Sequence, residues 1–322
     1  MIVLSGIIAD DPIRLLCVRL KMLGFPYVFV DQMTYPAELK ALQEWGEENT
    51  LGGVIAFPDG TTVAYEDITG VYIRHSGFVS PQFHPDFDGR EQELIKAQHT
   101  MSLACQFDYL PCAIANPLRN MVSNDSKPVQ LLFARQAGFP IPRTLVTTVP
   151  DRVLAFRDEC GGKIIYKGAS SNRSIVKLLD SADLDRLPLV RNCPVQFQEY
   201  IDGSNIRVHV VGDRVFALRI QSAGVDYRYC ARQFESISLP EPVERQCLSL
   251  SQTLGLCFSG IDLIERDGAH YCLEVNPSPG FSFYELRAHQ PISVALAEFL
   301  RDGKRHYRDR QTAVNPVPSP GP

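Results

Sequence analysis

No Cys-x-x-Cys pair occurs among the nine cysteines, which stand at 17, 105, 112, 160, 193, 230, 247, 257 and 272. The number is odd, so neither a disulfide framework nor a zinc site is expected, and a reducing, cytoplasmic setting fits better. No apolar run reaches membrane-spanning length. Met1-Ile2-Val3-Leu4-Ser5 lacks the basic start and long apolar stretch of a signal peptide. The net charge of −5 is small and of the wrong sign to call for nucleic acid or an anionic membrane. No internal repeat is visible. No Ser-His-Asp or Cys-His constellation stands out. The glycine fingerprint of a dinucleotide site is missing after the first apolar run.

What is present is ordinary globular material. The 322 residues suggest about two domains, and 45% hydrophobic with 21% charged residues is enough to build cores. Ile2-Val3-Leu4 reads as a buried strand, Pro12 to Leu23 as a helix (Ile13, Leu16, Leu20, Leu23) stopped by Gly24, and Tyr27 to Val30 as a second strand. That β-α-β opening implies a parallel sheet. Gly53–Phe57 and Thr61–Tyr65 flank the turn Pro58-Asp59-Gly60, and Val71-Tyr72-Ile73 is a strand ending at Arg74. Arg74 could hold a substrate carboxylate at the strand's carboxyl end, although an ordinary surface arginine is the preferred reading. Arg90 to Phe107 reads as a helix.

After Asn116-Pro117 the pattern changes. Asn124-Asp125-Ser126-Lys127-Pro128 is a helix entry, with a polar cap and proline in the first turn, and the helix runs to about Ala137. Lys127 therefore sits at a helix N-terminus, where anions are favoured. Lys163 to Lys167 is a strand, with Lys167 expected to be exposed at a loop edge. The small, polar run Gly168 to Ser174 is either a phosphate-covering loop or a plain turn. Val195 to Ile201 is a strand. Asn205 to Val211 pairs across Gly212-Asp213 with Val215 to Ile220, so Asn205, Arg207 and His209 share a face. His209 is read as packing and Cys272 as a small buried residue. Leu248 to Leu256 is helical, and Pro291 to Leu300 is a closing helix. The proline-rich end is expected to be disordered.

Gly260-Ile261-Asp262-Leu263 and Tyr271 to Pro277 flank Glu265-Arg266-Asp267-Gly268, a hairpin turn signal. Glu274 and Asn276 lie two apart and face one way, and a paired strand can bring Asp262 beside them. Three oxygen donors without His or Cys suit Mg²⁺ better than zinc. The plain alternative is a surface hairpin with solvated carboxylates.

Lys127, Lys167, Gln198-Glu199-Tyr200-Ile201, Asn205-Ile206-Arg207, Asp262 and Glu274-Val275-Asn276-Pro277 occur in the order and spacing of ATP-grasp ligases. The chain most resembles the RimK-type branch, which includes peptide-modifying glutamate ligases and graspetide synthetases. The likeness covers roughly residues 115 to 300. It implies an α/β and α+β architecture: an N-terminal α/β domain over 1–115, a two-subdomain ATP-grasp fold over 116–302 that clamps ATP, and a tail over 303–322.

The resemblance further implies that Lys127 and Lys167 contact the phosphates and the adenine edge, that Glu199 to Ile201 is the hinge holding adenine through its backbone, and that Gln198 beside it is also cofactor-binding. Asn205 would meet the ribose. Arg207 and Arg228 would lie near the phosphates and an acyl phosphate. Asp262, Glu274 and Asn276 would bind Mg²⁺, two ions being expected and Mn²⁺ an alternative. Two departures stand out. Asn205 replaces the family's Asp and carries no charge, and Asp226-Tyr227-Arg228-Tyr229-Cys230 lacks the second Asn of the family's Asp-Phe-Arg-Ser-Asn.

The implied activity is ATP-dependent carboxylate–amine ligation through an acyl phosphate, with release of ADP and phosphate. Its substrates would be a carboxylate donor and an amine on an amino acid, peptide or protein, and homo-oligomerisation is left open. The rival reading is a catalytically inactive ATP-binding regulatory or interaction protein. The retained acidic set speaks against it.

Overall fold

The computed structural model describes residues 1–34, 40–45, 51–74, 86–105, 107–108, 110–121, 126–169, 176–222 and 232–314. The chain divides into two compact units: Met1–Arg119 with Gly280–Ser282 and Pro291–Pro322, and Asn120–Pro279 with Phe283–Gln290. Among the described residues no helix is long and apolar enough to cross a membrane.

The first unit opens with β1 (Ile2–Gly6), α1 (Asp11–Leu23) and β2 (Tyr27–Asp31). Helix α1 starts with Pro12 in its first turn, buries Ile13, Leu16 and Leu20, and ends where Gly24 turns left-handed at φ 67°. β3 (Lys40–Trp45), β4 (Leu51–Ala56) and β5 (Thr62–Ala64) form a small antiparallel sheet. β6 (Gly70–Ile73), helix α2 (Gly89–Cys105), β7 (Ala113–Ala115) and the short α3 (Leu118–Met121) follow. The main sheet runs β2-β1-β6-β7, all parallel, as the β-α-β opening requires. Val3, Val30, Val71, Ile73 and Ile114 belong to its core.

Arg74 is not the surface arginine preferred from sequence. Its side chain is mostly buried, and its Nε donates to Asp10 Oδ2 at 2.6 Å.

The second unit begins with α4 (Lys127–Gln136) and continues through β8 (Thr144–Thr147), α5 (Pro150–Glu159), β9 (Ile164–Gly168), β10 (Lys177–Leu178), α6 (Ser181–Leu184) and β11 (Val195–Glu199). Its strands form an antiparallel sheet ordered β10-β9-β11-β8. Phe197 of β11 packs with Val153, Phe156 and Ile164 on one side of that sheet. A second antiparallel sheet, ordered β14-β13-β12-β15-β16, comes from β12 (Ser204–Val211), β13 (Arg214–Ser222), β14 (Arg232–Ile237), β15 (Phe258–Arg266) and β16 (Ala269–Asn276). Helix α7 (Glu241–Thr253) precedes β15, and α8 (Ser282–Ala288) follows β16. Helix α7 starts earlier than the Leu248 expected, because Pro242 and the acidic Glu241 and Glu244 make a good first turn.

Alternation divides the faces of the second sheet. Ile206, Val208, Val210, Ile261, Leu263 and Val275 join Leu250 of α7 and Ala134 of α4 in one core. Arg207 and His209 therefore face the other way. The β15–β16 turn is two residues long, with Asp267 at φ 53° and Gly268 at φ 79°, the left-handed pair that suits a twisted hairpin.

The last helix, α9 (Ile292–Val314), belongs to the first unit and runs past the Leu300 at which the closing helix is expected to end. Lys, Arg, Gln and Ala in 304–313 are good helix formers, and Gly303 serves close packing: a Cβ there would meet Ala113 of β7. Residues 315–322 lie outside the described residues.

Candidate functional site

The site is built on the β15–β16 hairpin. Asp262 stands directly opposite Glu274, and Gly260 directly opposite Asn276. Opposed residues of an antiparallel pair share a face, so the three predicted oxygen donors lie together. Beyond Asp262 the ladder slips, with Leu263 pairing with Cys272 and Leu273 left over. That bulge lets Cys272 and Val275, three apart, both reach the core while Glu274 and Asn276 stay on the opposite side.

Two cations are held against these carboxylates. Arg207 faces Asp262 across the β12–β15 ladder, and its Nη1 donates to Oδ2 at 2.9 Å. Its guanidinium lies 5.7 Å from the Tyr284 ring centre. Gly260 makes room for it, since a Cβ there would fall on the guanidinium and on Pro279. Lys127 Nζ donates to Glu274 Oε2 at 3.0 Å, with the lysine side chain 8% exposed and the glutamate 26%.

Gln130, absent from the sequence-predicted set, explains how Lys127 arrives there. One turn along α4, its buried amide donates to the Val275 carbonyl at 2.7 Å and accepts from the Val275 amide at 3.2 Å. This clamps α4 onto β16 beside Glu274. The Lys127 backbone amide in turn donates to the Ala169 carbonyl just past β9, at 3.2 Å.

Lys167 corrects an expectation. It is buried, at 4% exposure, rather than exposed at a loop edge. Burial pushes its ammonium below the usual lysine range; Glu274 opposes that shift, Lys127 adds to it and Asp262 opposes it. Thus Lys127, Lys167, Arg207, Asp262 and Glu274 form one electrostatic cluster. Cys272, on the core side of β16, is a fully buried thiol that desolvation pushes well above its ordinary range. His209 packs between Phe258 and Tyr284, as expected.

The residues expected from sequence to hold adenine lie at the end of β11 and just beyond it. Gln198 is buried and its Nε2 donates to Thr144 Oγ1 at 3.1 Å. The Glu199 and Tyr200 amides donate to the Arg143 and Lys163 carbonyls at 2.9 and 3.2 Å. A base recognised through this backbone must use other groups than those two amides. Ile201 is buried, and Asn205 is half-buried opposite Ile264 on the face that carries Arg207. Arg228 and its neighbours 226–230, and the loop residues Ser170 to Ser174, lie outside the described residues. A cavity of about 650 Å³ runs beside α4, lined by Val129, Leu132, Arg135, Pro142 and Val146 among others, and none of the described sequence-predicted site residues lines it.

Among the described residues no group of three His, Cys, Asp or Glu side chains is placed to hold a metal ion. Asp262, Glu274 and Asn276 instead make a partial set of hard oxygen donors. That set fits Mg²⁺, which binds through one or two carboxylates and completes its shell with water and phosphate. Asn276 Oδ1 accepts the Ser278 amide at 2.9 Å, which fixes the orientation of its side-chain oxygen.

A family model for the RimK-like ATP-grasp domain matches residues 123–300. The chain belongs to the RimK-like ATP-grasp family. A "Probable alpha-L-glutamate ligase 2" of Pseudoalteromonas atlantica is 27% identical to this RimK-like chain over 191 residues, 55% of the chain and 63% of that protein. The chain thus spans less than two thirds of that relative. The structure of macrocyclase MdnC bound with precursor peptide MdnA, from Microcystis aeruginosa, superposes with a TM-score of 0.79 at 27% identity, covering 93% of this chain and 99% of that one. ATP-grasp ligase PsnB, complexed with a phosphomimetic variant of its minimal precursor, Mg and ADP, gives 0.77 at 29% identity, with 94% and 98% covered. The fold of this RimK-like chain is the ATP-grasp fold.

Proposed function

We propose that the chain is an ATP-dependent carboxylate–amine ligase that forms a peptide bond through an acyl phosphate and releases ADP and phosphate. The observation that carries this reading is the convergence of Lys127, Lys167 and Arg207 on the Asp262–Glu274 pair. Joining a carboxylate to a γ-phosphoryl group brings two anions together, and fixed cations in a buried site offset that repulsion.

In this reading the carboxylate oxygen attacks the γ-phosphorus, the bond to the β-phosphate oxygen breaks, and ADP leaves. The amine then attacks the acyl carbon, phosphate departs, and the amine proton passes to solvent or phosphate. Lys127 and Lys167 hold phosphate oxygens, and Arg207 neutralises charge at the transferring group, with Arg228 assigned beside it. Asn205 orients the ribose, and the segment from Gln198 to Ile201 at the end of β11 seats the base. Asp262, Glu274 and Asn276 would hold Mg²⁺, whose charge offsets that of the β- and γ-phosphates. The named relatives, a "Probable alpha-L-glutamate ligase 2", a macrocyclase bound with its precursor peptide and an ATP-grasp ligase complexed with a minimal precursor variant, support a peptide or amino acid as substrate. Free thiols at the described cysteines fit a reducing cytoplasm.

The test is incubation of the full chain with ATP, Mg²⁺ and a panel of acidic peptides and amines. ADP and phosphate, with a product lighter by one water than its reactants, are expected. AMP and pyrophosphate would overturn the acyl-phosphate route, and ATP binding without turnover across the panel would favour the inactive-binder reading.

A further inference from the structure

Gln196 lies in the middle of β11, fully buried, directly opposite Lys167 of β9 and Val146 of β8. Phe197, its neighbour, points into the core beneath the sheet. Gln196 therefore shares the opposite face with Lys167 and with Gln198, two residues on. On that face Lys167 feels Glu274, Lys127 and Asp262. Among the described residues neither the amide nitrogen nor the carbonyl oxygen of Gln196 has a hydrogen-bond partner, and the Gln198 carbonyl oxygen has none either.

A buried amide unpartnered at both ends is costly. Folding alone gives no reason for it, because a leucine would fill the same volume without that cost. Its chemistry narrows the missing partner. A phosphate offers only acceptors and would leave the carbonyl unsatisfied. An amide presents one donor and one acceptor in a plane, which matches the adenine edge, where N6–H donates and N7 accepts. Guanine presents acceptors at both O6 and N7 and would meet the Gln196 carbonyl with a repulsive contact.

We infer that Gln196 is a specificity-determining residue that reads the N6–N7 edge of adenine beside Lys167. The inference rests on the nucleotide reading above.

The experiment is calorimetric titration of the full chain with ATP, GTP and 7-deaza-ATP, which lacks N7. It compares the unaltered protein with Gln196→Leu and Gln196→Met, and adds thermal melts without ligand. The unaltered protein should prefer ATP to both analogues. Both variants should melt no lower than the unaltered protein, bind ATP about tenfold or more weakly, the worth of a bidentate base contact, and no longer distinguish 7-deaza-ATP from ATP. If the variants keep the ATP affinity, or lose affinity while keeping the preference over GTP and 7-deaza-ATP, the assignment of Gln196 fails alone. If the unaltered protein binds no ATP, the nucleotide reading fails and this inference with it.

Discussion

Asp262 and Glu274 face each other at the last regular pair of the β15–β16 ladder, one step before it slips by a residue. The bulge at Leu273 lets one short strand present Glu274 and Asn276 on one side and Cys272 and Val275 to the core. Each carboxylate is met by a cation from a different element, Arg207 from β12 and Lys127 from α4.

Glu274→Gln keeps the shape but halves the carboxylate charge of the pair. Phosphate release should then need about tenfold more Mg²⁺ for half-maximal rate, since a neutral amide is a poorer ligand for a hard cation. ATP affinity measured without metal should change less. An unchanged Mg²⁺ requirement would remove Glu274 from the metal set.

Gly260→Ala places a methyl group where the Arg207 guanidinium lies. A loss of about 1–3 kcal/mol of stability from overpacking is expected, with turnover falling further than the melts alone explain. Turnover that merely tracks the folded fraction would show that Arg207 has no role beyond packing.

Gln130→Ala removes both hydrogen bonds that hold α4 to the β16 backbone and leaves the Val275 amide and carbonyl unsatisfied, a cost of about 1–3 kcal/mol. Because the same clamp brings Lys127 to Glu274, the ATP-induced rise in melting temperature should shrink as well. A variant that loses stability but keeps the full ATP-induced rise would restrict Gln130 to a structural role.

Much of this was legible in the chain itself. The Asp267-Gly268 turn and the two-residue spacing of Glu274 and Asn276 announced the hairpin, and Pro128 after Ser126 announced α4. What stayed hidden depends on tertiary neighbours. A glutamine at 130 looks like any helical polar residue until β16 lies beside it. The burial of Lys167 cannot be read from a strand that ends in small polar residues, because the covering elements are distant in sequence. The slip at Leu273 has no local mark, being the compromise between a core demand at Cys272 and a charged face at Glu274. The extension of α9 past Leu300 rests on helix formers in 304–313 that carry almost no apolar periodicity to mark them.

Lys167→Met tests the corrected placement. The change conserves length, removes a buried ammonium and avoids the cavity that alanine would leave. The unliganded variant should melt close to the unaltered protein, while ATP affinity falls by about tenfold or more through loss of a buried charge-assisted contact. Equal affinities would take Lys167 out of the nucleotide site.

The most direct measurement is isotope tracing through the phosphate. The full chain is given ATP, Mg²⁺, an amine and a peptide whose side-chain carboxylate carries ¹⁸O. Attack of that carboxylate on the γ-phosphorus transfers one labelled oxygen to inorganic phosphate, with ADP as the unlabelled co-product. Label recovered in AMP, or bond formation with no label in phosphate, would contradict the acyl-phosphate mechanism.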